Sequence, residues 1–215
     1  MDVMVPVPGG TVSASVHGRG DTAVVLAPGA GGNRRTPLLL SVAEAVSGSG
    51  RCAVLYNFPY TEVRRRIPDR ADVLEGTVRA VAAHARDELG ARRLVLGGKS
   101  MGGRISSQAV AHGVAADALV FLGYPLHPPG KTEQLRTPHF ADVHVPLLFV
   151  QGTRDAFARG DLLETFVRSL GSRARLHRIE GGDHSFVVPR QAGNRPDVAA
   201  QIGQSLLAWL AEQGL

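Results

Sequence analysis

Gly98-Lys99-Ser100-Met101-Gly102 follows directly on the apolar run Leu94-Val95-Leu96 and precedes a helix-compatible stretch, Arg104 to His112. A strand that gives way to a helix within a few residues needs a sharp turn, and a side chain at position 98 or 102 would crowd the backbone there. Gly103 adds clearance for packing. A serine hydroxyl is a weak nucleophile, and such a turn lifts it clear of the backbone where a base can reach it. With 26 glycines in 215 residues the pentapeptide alone is a weak signal, so its surroundings must carry the reading.

Those surroundings alternate. Strand patterns run over Val3–Val7, Thr11–His17, Thr22–Leu26, Cys52–Tyr56, Arg93–Gly97, Ala118–Leu122, Pro146–Gln151 and Arg175–Ile179. Helix-period stretches fall at Thr36–Val46, Ala71–Leu89, Gly102–His112, Asp161–Leu170 and Val198–Glu212. The order predicts an α/β chain whose sheet of about eight strands is antiparallel at its start, then parallel and twisted, with helices on both faces. No linker or repeat divides it, so one domain over residues 1–215 is expected. Ligands of such sheets bind at the C-terminal ends of the parallel strands.

Each strand-following loop in the second half supplies a residue of interest. Gly123-Tyr124-Pro125-Leu126-His127 follows one strand, Gly152-Thr153-Arg154-Asp155 the next, and Glu180-Gly181-Gly182-Asp183-His184 the last. The order Ser100, Asp155, His184 is that of an α/β-type nucleophile, acid and base. His184 would take the Ser100 proton and return it to the leaving group, while Asp155 would orient the imidazole. Asp183 and, more weakly, Glu180 compete for the acid role. Neighbouring side chains on an extended backbone point to opposite sides, which favours Asp155 over Asp183 as the partner of His184. An oxyanion hole needs two backbone N–H groups. Met101 is expected to supply one and the loop Ala27-Pro28-Gly29-Ala30-Gly31-Gly32 the other, from Ala30 first and Gly29 next. That loop lacks the Lys-Ser/Thr ending of a phosphate loop and the spacing of a dinucleotide fingerprint.

With these residues placed, the chain resembles the α/β-hydrolase superfamily over nearly its whole length, and within it a small lid-less family related to dienelactone hydrolases. The segments that carry the resemblance are Leu26 to Gly32, Asn57-Phe58-Pro59-Tyr60, Gly97 to Arg104, Leu122 to Lys131, Gln151 to Asp155, and Gly181 with Asp183-His184-Ser185-Phe186. The resemblance implies an α/β-hydrolase fold and a Ser100–Asp155–His184 triad. Dienelactone hydrolases proper carry a cysteine nucleophile where this chain has Ser100, so their substrate does not carry over. Pro28 also stands where many members have a histidine.

Residues 123–145, where many such proteins insert a helical cap, are mostly Pro-rich loop, so no separate cap domain is expected. An open site suits small acyl groups. Loop residues Asn57, Tyr60, Arg64, Tyr124, His127 and Lys131 are candidate substrate contacts, and they would make the rim electropositive and suited to an anionic ester. The competing reading pairs the Arg64-Arg65-Arg66 cluster with Asp69 and Asp72. Hydrolysis of a carboxylic ester through an acyl-enzyme is the expected activity. A thioesterase or small-peptide hydrolase, and a non-catalytic hydrolase-fold interaction protein, are the alternatives.

Net charge is +5, but the arginines are dispersed and no groove-reading helix or aromatic-basic platform accompanies them, so no nucleic-acid partner is expected. No apolar run approaches the ~18 residues of a membrane span, and Met1 to Gly10 lacks the apolar centre of a signal peptide. A cytoplasmic location without membrane contact is therefore expected. The single Cys52 lies in an apolar run and reads as a buried structural thiol. No metal-ligand spacing is present, and neither a metal nor a cofactor is expected.

Overall fold

The computed structural model describes residues 1–189 and 197–215. Its strands are β1 (Asp2–Val7), β2 (Gly10–His17), β3 (Thr22–Ala27), β4 (Cys52–Tyr56), β5 (Arg93–Lys99), β6 (Ala118–Leu122), β7 (Leu147–Gly152) and β8 (Ala174–Ile179). Its helices are α1 (Pro37–Gly48), the single turn α2 (Pro59–Glu62), α3 (Ala71–Asp87), α4 (Met101–Ala111), α5 (Gly160–Ser169) and α6 (Val198–Glu212), with 3₁₀ turns at Pro138–Asp142 and Gly171–Arg173. The eight strands form one sheet in the order β1-β2-β4-β3-β5-β6-β7-β8. β1 and β2 pair antiparallel, as do β2 and β4; every later pairing is parallel.

Parallel strands covered on both faces must be apolar on both sides, and β3, β4, β6 and β7 are buried at every residue. Alternation sorts their side chains into two cores. Val25, Leu94, Leu96, Leu119, Phe121 and Phe149 face α3, α4 and α5. Val24, Leu26, Val95, Val120, Leu148 and Val150 face α1 and α6. Cys52 is buried in the first core, and burial pushes its thiol pKa up, as expected of a structural cysteine.

Two differences from the sequence expectation bear on the site. β5 continues past the expected end at Gly97 through Gly98 and Lys99, because Gly98 pairs with both Ala27 and Phe121 and Lys99 with Leu122. The strand therefore delivers Ser100 at its very end. The α2 turn escaped the periodicity reading because four residues are too few to show one; Pro59 pre-sets its first position, and the Tyr60 N–H donates to Asp69 Oδ2 at 2.8 Å.

Beneath α4 lies an aromatic cluster. The Phe121 ring meets Tyr124, Phe140 and Phe149 at centroid separations of 5.2, 5.7 and 4.5 Å. Phe121 is fully buried, and its neighbours cannot collapse into the space it fills without moving the floor of α4. Phe121→Ala is expected to cost about 3–5 kcal/mol of stability in urea unfolding. A loss below about 1 kcal/mol would mean that this cluster does not support the helix.

Candidate active site

Ser100 sits between the end of β5 and the start of α4 at φ 50°, ψ −115°, a backbone conformation that L residues rarely hold. Its N–H donates to Leu122 O at 3.0 Å, and its carbonyl accepts from the Arg104 N–H at 3.1 Å, so both neighbouring elements grip the turn. A Cβ at Gly98 would lie 2.2 Å from Ala27 O, and one at Gly102 2.5 Å from Ala27 O and 2.6 Å from Pro28 O. The crowding expected at these glycines therefore comes from the end of β3 rather than from the turn itself. Their bareness lets the Ala27–Gly32 loop lie against Ser100.

His184 Nε2 lies 2.8 Å from Ser100 Oγ, and its Nδ1 lies 2.7 Å from Asp155 Oδ2. The Asp155 side chain is wholly buried. It is held by the Phe157 N–H on Oδ1 at 2.7 Å and by Gln151 Nε2 on Oδ2 at 2.5 Å, while Gln151 Oε1 accepts from the Tyr124 N–H at 2.8 Å. A buried carboxylate needs such donors, and here they also fix the direction in which it faces. Asp183 is turned to another task. It is exposed, and its Oδ1 accepts from the N–H groups of Ser185 and Val187, closing the loop that carries His184. Glu180 is exposed. Phe186, at φ 62°, anchors that loop in the core on the α1/α6 side.

Ser100, His184, Met101, Gly29 and Ala30 border one cleft of about 500 Å³. The Met101 N–H is the first in α4 and has no intrahelical acceptor. In the facing loop the Gly31 N–H donates to Tyr60 Oη at 3.2 Å and the Gly32 N–H to Gly29 O at 3.0 Å, which leaves those of Gly29 and Ala30 for the cleft.

The six expected substrate contacts lie elsewhere. Asn57 and Tyr60 are buried beneath the same loop, with Asn57 Oδ1 accepting from the Arg34 N–H at 2.8 Å and Tyr60 Oη from Gly31; they brace it. Tyr124 is buried and donates to Arg136 O at 2.6 Å. His127 is buried, with Nε2 accepting from the Arg159 N–H at 2.9 Å. Arg64 and Lys131 are exposed and do not border the cleft. Of the Arg64-Arg65-Arg66 cluster, Arg65 pairs with Asp69, whereas Asp72 pairs with Arg70 outside it, so the cluster is neutralised at one residue among those described.

Four residues that the sequence reading passed over bear on the site, two as braces and two at the cleft. Arg34 is 7% exposed, forms a bidentate pair with Asp2 and donates from Nε to Ser13 Oγ, tying the Gly-rich loop to the sheet edge. Gln151 orients Asp155. Arg104 and Arg136 border the cleft. Arg104 was legible as the residue one helical turn beyond Ser100, and Gln151 as a polar residue closing an apolar strand; Arg136 has no local signal.

The sequence matches the family of the alpha/beta hydrolase domain over residues 20–210. The chain belongs to the alpha/beta hydrolases. Among solved structures, this alpha/beta hydrolase is similar to an alpha-beta serine hydrolase homologue from Coxiella burnetii, with 19% identity, 98% of this chain and 97% of that one covered, and a TM-score of 0.77. It is also similar to a serine hydrolase without a lid from Xanthomonas campestris, with 22% identity, coverage of 97% and 94%, and a TM-score of 0.75. A dienelactone hydrolase from Anabaena variabilis gives 19% identity, coverage of 99% and 96%, and a TM-score of 0.76. At such identities the likeness is one of fold, and the lid-less architecture expected from residues 123–145 is the one found. Among the described residues, no group of three or more His, Cys, Asp or Glu side chains converges as a metal set, and no helix is long and apolar enough to cross a membrane.

Lys99, beside Ser100, has a buried Nζ with no hydrogen-bond partner among the described residues, 5.6 Å from the Phe186 ring centroid. Burial, only partly offset by the charges of Asp155 and Asp183, pulls its pKa from 10.5 down to about 8. Between those two values the unfolded chain holds a proton that the folded chain has released, so stability rises with pH across that window. Below pH 8 the native state bears the full cost of a buried ammonium. Lys99→Met is expected to exceed the parent in stability at pH 7 by up to roughly 3 kcal/mol, with the gap closing towards pH 10. Urea midpoints at both pH values measure this; equal midpoints at pH 7 would contradict it.

Proposed function

We propose that this alpha/beta hydrolase cleaves a carboxylic ester with a small or anionic acyl group, through an acyl-enzyme on Ser100. The observation that carries the reading is the hydrogen-bonded chain from Ser100 Oγ through His184 to Asp155, opening on a cleft. As Ser100 Oγ attacks the acyl carbon, His184 Nε2 takes its proton, and the buried Asp155 carboxylate steadies the imidazolium that forms. The carbonyl oxygen gathers negative charge and accepts from the N–H groups of Met101 and of Ala30 or Gly29. His184 then returns the proton to the departing alkoxide. Water repeats the sequence on the acyl-enzyme and frees the acid.

The complete chain of three groups, with Gln151 and the Phe157 N–H holding the acid, favours chemistry over a vestigial pocket. With 4-nitrophenyl acetate as substrate, Ser100→Ala is expected to lower kcat by up to ~10⁶ and Asp155→Asn by ~10⁴. A Ser100→Ala protein that keeps kcat within tenfold of the parent would remove Ser100 from the mechanism.

A further inference from the structure

Arg104 and Arg136 both border the cleft that holds Ser100, and both are only partly exposed. Neither takes part in any ion pair among the described residues. Residues 190–196 contain no Asp or Glu, so no acid of that segment is their counter-ion. Arg104 Nη1 donates to Gln108 Oε1 at 3.0 Å, and Arg136 Nη1 to Pro125 O at 3.2 Å. Each guanidinium is thus steadied at one nitrogen by a neutral acceptor, and its other donors meet no acceptor among the described residues. The Arg136 backbone is itself pinned, its N–H donating to Leu126 O at 2.8 Å and its carbonyl accepting from Tyr124 Oη.

The two charges are felt nearby. The Arg136 pKa is lowered first by burial and next by Arg104. His139, on the same side of the sheet, is pulled down to about 4, first by burial and then by Arg104 and His112. It therefore adds no charge at neutral pH. Like-charged groups held together in a partly desolvated cleft are costly unless something anionic meets them there.

We propose that Arg104 and Arg136 form a carboxylate-binding subsite that selects esters whose acyl chain ends in a carboxylate, the monoesters of short dicarboxylic acids. The proposal rests on the reading of Ser100 as nucleophile. The acyl side is indicated by position. The loop of His184, towards which the alcohol leaves, is anchored by Phe186 in the core on the α1/α6 face, whereas Arg104 projects from α4 on the other face. One helical turn, about 5.4 Å of rise, separates the backbones of Ser100 and Arg104, which suits a short spacer. The planar guanidinium forks match the two coplanar oxygens of a carboxylate, and phosphate is the competing anion that the test has to exclude. Water adds across the acyl–oxygen bond, giving the dicarboxylic acid and the alcohol.

The test compares 4-nitrophenyl hydrogen adipate with 4-nitrophenyl 6-methylheptanoate, in which an isopropyl group replaces the carboxylate, each corrected for spontaneous hydrolysis. The parent is expected to favour the adipate in kcat/KM by about tenfold or more, and that ratio to fall about tenfold in Arg104→Gln and in Arg136→Gln. Calorimetry should find that adipate binds the parent more tightly than inorganic phosphate and binds each variant about tenfold more weakly. Turnover of both esters without preference, a preference that survives both substitutions, or tighter binding of phosphate would overturn the subsite and leave the hydrolase reading intact. Turnover of neither ester would instead sink the hydrolase reading, and adipate binding would then decide the arginine pair on its own.

Discussion

The close approach of the β3 end to the β5–α4 turn governs this site. Ala27 O and Pro28 O sit where any Cβ at Gly98 or Gly102 would have to be, and Ser100 is held between those glycines at a positive φ. A backbone conformation of this kind costs on the order of 1–3 kcal/mol and persists only where its surroundings over-determine it. They do so here: Leu122 O takes the Ser100 N–H, Arg104 closes the first helical turn on the Ser100 carbonyl, and Phe121 fills the space below. The same approach that strains the serine brings a second set of backbone donors to its side.

Polar groups inside the protein are spent on orientation. Arg34, Asn57 and Tyr60 hold the Gly-rich loop from beneath, and Gln151 with the Phe157 N–H holds Asp155 from behind. Each is a buried group whose partners are satisfied, so it rigidifies rather than destabilises. Lys99 is an exception: a buried ammonium with no hydrogen-bond partner among the described residues, close to Asp155 and to the aromatic ring that anchors the His184 loop. Its cost falls on stability, at the place where the electrostatics of the site are set.

The sheet was legible in the sequence because its central strands β3, β4, β6 and β7 are buried at every residue and read as apolar runs, while the outer strands β1, β2 and β8 are only part-buried and read as β-branched or alternating runs; all eight were found to within a few residues. The turn at Ser100 and the meeting of Asp155 and His184 with it were legible because each residue follows a strand, and parallel topology gathers strand ends on one edge. The rim was not. Loop side chains take their direction from tertiary contacts, so Asn57, Tyr60, Tyr124 and His127 could be placed near the site from their positions in the chain, but not turned inward as braces. Arg136 lies in a stretch without periodicity, and contacts with the Tyr124 hydroxyl and the Pro125 and Leu126 carbonyls bring it to the cleft.

The central claim is that this constrained turn presents an activated serine. Treating the folded protein with a fluorophosphonate probe and mapping the adduct by mass spectrometry tests it most directly. A single adduct on Ser100 is expected, absent in Ser100→Ala and strongly slowed in His184→Ala. A folded protein that stays unlabelled, or that is labelled at another residue, would contradict it.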